Sequence, residues 1–136
     1  MKLEAVVPDW NKKYNIGIEL VDLQHQYFLN LIKRLSKYLD HDLSKYMITR
    51  IINEILKYAD FHFQSEENLM LIENYPEYEK HEELHKDLIE DIGTFLNYYS
   101  KGEKQPAELI EFLLKWFIDH TLEEDKKFGD YIRIKT

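Results

Sequence analysis

Apolar residues recur at steps of three and four through four long stretches, roughly 19–39, 45–72, 77–99 and 107–128, and none of these contains an internal proline. The breaks fall at Gly17, at Asp40 to Ser44, at Asn74 to Pro76 and at Lys101 to Pro106. Ser44 suits a helix N-cap and Pro76 presets a helix-start φ. Short connections favour antiparallel neighbours, so the pattern predicts an all-α, up-down-up-down four-helix bundle. A segment at 1–18 reads as an N-terminal arm that packs Trp10 and Tyr14 against the bundle, and 1–136 reads as one domain.

The seams carry more than apolar side chains. The first stretch places Val21, His25, Phe28, Ile32, Leu35 and Leu39 on one face; the second places Ile48, Ile52, Ile55, Ala59, His62, Glu66 and Leu69. The third reads Tyr78, His81, His85, Leu88, Ile92, Phe95 and Tyr99, and the fourth Leu109, Leu113, Trp116 or Phe117, and His120. Every predicted helix therefore aims histidine at the core. Each unpaired buried polar group costs on the order of 1–3 kcal/mol, so a core holding five histidines, Glu66 and Asp125 needs something to compensate them, and a metal would.

Register gives a separate test. Antiparallel helices put the start of the first and third at the same end as the finish of the second and fourth, and at 1.5 Å per residue all seven polar groups fall in a layer about 10 Å thick. His62 and Glu66 are four apart, as are His81 and His85, so each pair shares a helical face. His120 and Asp125 are five apart, and both can point inward only if the helix takes a π-type turn near 121–125. Seven donors exceed what one tetrahedral ion takes and suit two octahedral ions that share bridging carboxylates. Imidazole suits iron, copper, zinc or nickel alike, so the donor set leaves the metal open.

Composition narrows the rest. With 44% hydrophobic and 32% charged residues, four glycines and three prolines, the chain reads as globular and helix-favouring. The net charge of −8 and the lack of a basic stripe argue against nucleic acid. Absence of cysteine removes disulfides, thiolate zinc sites and iron–sulfur ligation. No apolar run approaches the roughly 18 residues of a membrane span, and residues 1–17 do not read as a signal peptide, so a cytoplasmic protein without membrane insertion is expected.

His25 at the end of a VDLQH segment, His62-x-x-x-Glu66, His81-x-x-x-His85, His120-x-x-x-x-Asp125 and the Trp10–Tyr14 arm together resemble the hemerythrins, specifically the single-domain bacterial type. The resemblance covers essentially the whole chain. It implies that His81, His85 and His120 bind one iron, that His25 and His62 bind the other, and that Glu66 and Asp125 bridge them with an oxo or hydroxo group. It further implies that dioxygen binds reversibly, as hydroperoxide, at the five-coordinate second iron. Carriage, storage or delivery of dioxygen to an unidentified accepting protein is the function it suggests, without catalysis. The alternatives on the same site are a di-iron oxidase, peroxidase or nitric-oxide-handling enzyme, or an iron buffer. Ferritin-like di-iron enzymes use about four carboxylates and two Glu-x-x-His motifs. Here that motif occurs once, as Glu82-x-x-His85, with Glu82 off the seam and expected to face solvent.

Residues one turn from the ligands, Phe63, Trp116, Phe117 and Phe128, are expected to wall the dioxygen pocket, each with ordinary core packing as the competing reading. Asp22 and Gln24 read as exposed helix residues rather than partners of a ligand imidazole, and His41 as a turn residue outside the site. Relative to the resembled family, Phe117 stands where leucine is common and Thr121 where an aliphatic residue is common. The Thr121 hydroxyl could bring water or a hydrogen bond to the bound ligand and hasten autoxidation. Thr121→Ile is therefore expected to autoxidise more slowly, measured as decay of the oxygenated spectrum; an unchanged or faster rate would count against that role.

Overall fold

A computed structural model describes residues 7–135. Residues 1–6 of the expected arm lie outside the described residues. After a 3-10 turn at Lys12–Tyr14, four long helical rods follow: α1 Glu19–Leu39, α2 Lys45–Ile72, α3 Tyr78–Ser100, and α4 Pro106–Asp119. The last rod continues through a π-helical turn at His120–Asp125 into α5, Lys126–Lys135. α1 packs on α2 and α4, and α2 on α3, giving the closed bundle that the periodicity predicted.

Local chemistry explains most boundaries. The Ser44 hydroxyl accepts from the Met47 N–H at 3.1 Å and starts α2. α2 ends in a Schellman motif: Tyr75 N–H donates to the Met70 carbonyl at 2.9 Å and Asn74 N–H to Leu71 at 3.2 Å, with Asn74 at φ 56. Pro106 occupies the first turn of α4, and the Glu108 carboxylate accepts from the Gln105 N–H at 2.8 Å. Three details differ from the sequence reading. Pro76 sits in the turn before α3, which begins at Tyr78. Met70 is fully buried and Leu69 half-buried beside it, because Met70, four residues after Glu66, stays on the inward face of the helix and packs with Tyr75. The final rod runs to Lys135 instead of 128, held by tertiary contacts that no local pattern announces: Tyr131 Oη donates to the carbonyls of Glu73 and Asn74, at 2.8 and 3.1 Å.

The main core, including Phe28, Ile32, Leu35, Ile52, Ile55, Leu88, Ile92, Leu109 and Leu113, fills the bundle on one side of the histidine layer. A smaller cluster of Met70, Tyr75 and Phe128 closes the other side. The arm docks as expected: Tyr14 is buried, with Trp10 5.3 Å away and Phe117 6.4 Å away, ring to ring. Asp22 is not a free helix residue, since its carboxylate accepts from the N–H groups of Ile16 (2.7 Å) and Gly17 (3.2 Å) and so joins the arm to α1.

The arm crosses α5 at Gly129, where a Cβ would lie 2.0 Å from the Ile16 carbonyl oxygen. Backbone cannot yield there as a side-chain tip could. Gly129→Ala is expected to cost about 1–3 kcal/mol, read as a lower thermal midpoint together with altered Trp10 fluorescence. Gly93, exposed in α3 with nothing near its would-be Cβ, is the control: Gly93→Ala should be stabilising by about 0.5–1 kcal/mol.

Candidate metal centre

Five imidazoles and two carboxylates converge from all four rods, each at most 6% exposed. α1 supplies His25, α2 supplies His62 and Glu66, and α3 supplies His81 and His85. The π turn supplies both His120 and Asp125. That turn is where five-residue spacing required it: one extra residue per turn rotates Asp125 back onto the face of His120.

The side chains fall into two groups that share Glu66. One contains His81, His85 and His120 with Glu66 and Asp125; the other contains His25 and His62 with Glu66. Glu66 Oε1 lies 2.8 Å from His81 Nε2 and 3.3 Å from His85 Nε2, while its Oε2 lies 3.6 Å from His25 Nε2 and 3.7 Å from His62 Nε2. Asp125 divides likewise, Oδ1 toward His81 (2.8 Å) and His120 (3.0 Å), Oδ2 toward His25 (2.9 Å). Each carboxylate thus offers one oxygen to each group.

These contacts are close without being aligned. Both Glu66 oxygens, both His25 nitrogens and Asp125 Oδ1 are buried and make no hydrogen bond among the described residues. Five such atoms in one core would be costly on their own. Within the three-histidine group the His120 Nε2 stands 3.1 Å from the Nε2 atoms of both His85 and His81. Two nitrogens about 2.1 Å from one ion and at right angles to each other stand about 3.0 Å apart. The donor set therefore fits a pair of cations bridged by two carboxylates.

The surroundings fix several rings. Phe63 stacks on His85, centroids 3.9 Å apart and 5° from parallel, and Trp116 stacks on His120 at 4.3 Å and 14°. Phe117 meets His25 edge-on at 5.8 Å. Phe28, which the sequence reading left as core, stands 6.5 Å from His62 and 5.7 Å from Phe117. Phe128 is buried in the cluster with Met70 and Tyr75, and Thr121 is buried on the π turn. A cleft of about 370 Å³ lined by Leu84, Phe112, Trp116 and His120 leaves His120 the most exposed of the seven.

Two hydrogen bonds were not foreseen. Gln24 Oε1 lies 2.7 Å from His62 Nδ1, so Gln24 serves the histidine of the neighbouring helix and is not a mere surface residue. Glu67 Oε2 lies 2.8 Å from His85 Nδ1. Gln24 had a local hint, being next to His25; Glu67 had none, because its partner comes from another helix. His41 is exposed, and Glu82 accepts from Tyr78 Oη at 2.6 Å and pairs with Lys86, outside both groups.

Residues 16–132 match the family model described as the hemerythrin HHE cation binding domain. The chain is 26% identical to a bacteriohemerythrin of Stenotrophomonas maltophilia, covering 91% of this chain and 80% of that one. It is 27% identical to a bacteriohemerythrin of Clostridium acetobutylicum, covering 89% and 98%. A myohemerythrin of Theromyzon tessulatum is 24% identical, with 88% of each chain covered. A crystal structure of a wild-type hemerythrin superposes with a TM-score of 0.83 at 20% identity, covering 92% of this chain and 97% of that one.

The metal-free cluster balances itself with protons. Burial alone would lower His25 and His81, but the close carboxylates of Asp125 and Glu66 outweigh it and raise them to about 9 and about 10. Burial and repulsion by His25 lower His62 to about 3. Burial opposes ionisation of Glu66 and Asp125, yet the surrounding imidazoles hold both well below the usual carboxylate range. The stability contributed by His25 and His81 is complete below their ordinary 6.5 and is lost as pH rises from there through 9 and 10. His62 acts oppositely, favouring the unfolded chain as pH falls below 6.5, and Glu66 and Asp125 do so only as pH falls below their ordinary 4.5 and 3.8. The chelator-treated chain is thus expected to be most stable near pH 6.5 and to weaken on both sides, measured as urea midpoints against pH. A midpoint that does not fall between pH 7 and 9 would exclude the paired imidazoliums.

Proposed function

The chain belongs to the hemerythrin family, and from that premise we propose that it holds two iron ions and binds dioxygen reversibly. The observation that carries this reading is the division of each bridging carboxylate between the two histidine groups. His81, His85 and His120 would hold one ion, His25 and His62 the other, with Glu66 and Asp125 between them. The match over residues 16–132 supports treating the chain as one such domain. Bound as a ferrous pair, iron would supply the electrons that dioxygen takes up on binding and returns on release.

The protein's own part is to position donors and exclude water. Three imidazoles and two carboxylate oxygens would give one ion five donors, whereas two imidazoles and two oxygens would give the other four and leave an open place. The open place is assigned to the His25–His62 side, where Phe28 and Phe117 form an apolar wall. Phe63 and Trp116 shield the other group and brace its rings, and Thr121 is a buried polar residue on the π turn next to His120. Phe128 closes the far end with Met70 and Tyr75. No helix among the described residues is long and apolar enough to cross a membrane, and a cytoplasmic protein passing dioxygen to an acceptor is the role proposed.

Ferrous loading without air should give two iron atoms per chain. Dioxygen should then produce a visible charge-transfer absorption that disappears when the gas is removed, with return of the colourless form. Sustained dioxygen consumption with a reductant would assign the site to a di-iron enzyme instead, and one iron per chain would overturn the dinuclear centre.

A further inference from the structure

The two halves of the centre are unequal beyond their histidine count. Glu66 and Asp125 offer an oxygen to each side, but Glu66 lies nearer the three-histidine group, at 2.8 and 3.3 Å against 3.6 and 3.7 Å. The outward faces of the imidazoles differ as well. On the three-histidine side, His85 Nδ1 is 2.8 Å from a carboxylate oxygen of Glu67, a partner that fixes the tautomer with Nε2 inward and makes that nitrogen more basic. On the two-histidine side, His62 Nδ1 meets the neutral amide oxygen of Gln24 at 2.7 Å. The Gln24 amide nitrogen donates to Ser65 Oγ at 3.2 Å, and its backbone carbonyl accepts from Tyr58 Oη at 2.7 Å, so the amide is held with oxygen toward His62. The remaining histidine of that side, His25, has a buried Nδ1 with no hydrogen-bond partner among the described residues.

Bracing follows the same division. Close near-parallel stacking holds His85 under Phe63 at 3.9 Å and His120 under Trp116 at 4.3 Å, while His81 meets its neighbours edge-on; on the other side the ring parallel to His62, Tyr58, is 6.4 Å away, and His25 has edge contacts with His62 at 4.7 Å and Phe117 at 5.8 Å. Ligand number, ligand basicity and preorganisation therefore all favour one side, and each raises affinity independently.

We propose that metal fills the centre in order, the His81–His85–His120 half first and the His25–His62 half second, with Glu67 and Gln24 as positioning residues that set the gap. This rests on the dinuclear reading above. The half that fills last is also the half assigned to dioxygen, so a chain short of metal keeps one ion and no place for the gas. Loss of a single ion silences the protein without emptying it.

Cobalt(II) titration of the metal-free protein, followed by its ligand-field absorption, tests the order without any dioxygen chemistry. Two steps per chain are expected, the first at least ten-fold tighter. His62→Ala should remove the second step and keep the first. In that background Glu67→Gln should weaken the remaining step by about ten- to hundred-fold, as loss of such an outer partner typically does, while Gln24→Glu should leave it unmoved. In the otherwise unaltered chain Gln24→Glu should tighten the second step alone and narrow the gap, a gain that a purely structural role would not produce. Helical circular dichroism checks that these near-isosteric variants fold. Two equal steps, or a second step that Gln24→Glu leaves where it was, would overturn the order while leaving the dinuclear reading intact. A total of one cobalt per chain would overturn both.

Discussion

The structure depends on one constraint: seven ionisable side chains meet in a space that excludes water, and His25, Glu66 and Asp125 keep buried polar atoms there with no hydrogen-bond partner among the described residues. Burial of unpaired polar groups works against the core. The bundle meets that cost by making the polar ends face one another, imidazole nitrogens toward carboxylate oxygens at 2.8–3.7 Å. Close approach without alignment is what donors look like when they share a cation rather than a proton. In the metal-free chain the neighbouring carboxylates favour protons on His25 and His81, which offsets part of the cost of burying the cluster.

Much of the remaining architecture serves to hold that layer still. The helices contribute donors from four directions, so no single element can shift without opening the cluster. The π turn adds the one irregularity needed for His120 and Asp125 to act together. Aromatic rings occupy the next shell and leave little freedom to the imidazoles they stack on. Beyond the layer the bundle has two unequal caps, a long apolar core on one side and a short cluster closed by the arm and α5 on the other. Gly129 permits that closure by letting two backbones approach where a side chain would not fit.

The asymmetry between the two histidine groups ties the fold to its use. A symmetric site would give both ions equal hold and equal crowding. Here one side is rich in donors and braced, the other has fewer donors, a neutral amide behind His62 and an unpartnered Nδ1 on His25. The same difference that opens a place for a small ligand loosens the hold on the ion beneath it.

Residue spacing along the chain sets the four rods, their antiparallel order, the common layer of the seven polar residues and the need for a π turn between His120 and Asp125. All of these follow from residue spacing along a helix, which is a one-dimensional property. The tertiary structure alone decided how the donors divide into two groups, that Gln24 serves His62 rather than the adjacent His25, and that Glu67 backs His85. It also decided that Phe28 stands beside the site, that Phe128 belongs to the far cap and that the last rod continues to Lys135. Each of these depends on the rotation and approach of one helix against another. Contacts of that kind join residues 18 to 58 positions apart, as in Glu67–His85 and Glu73–Tyr131, and leave no periodic trace in the chain.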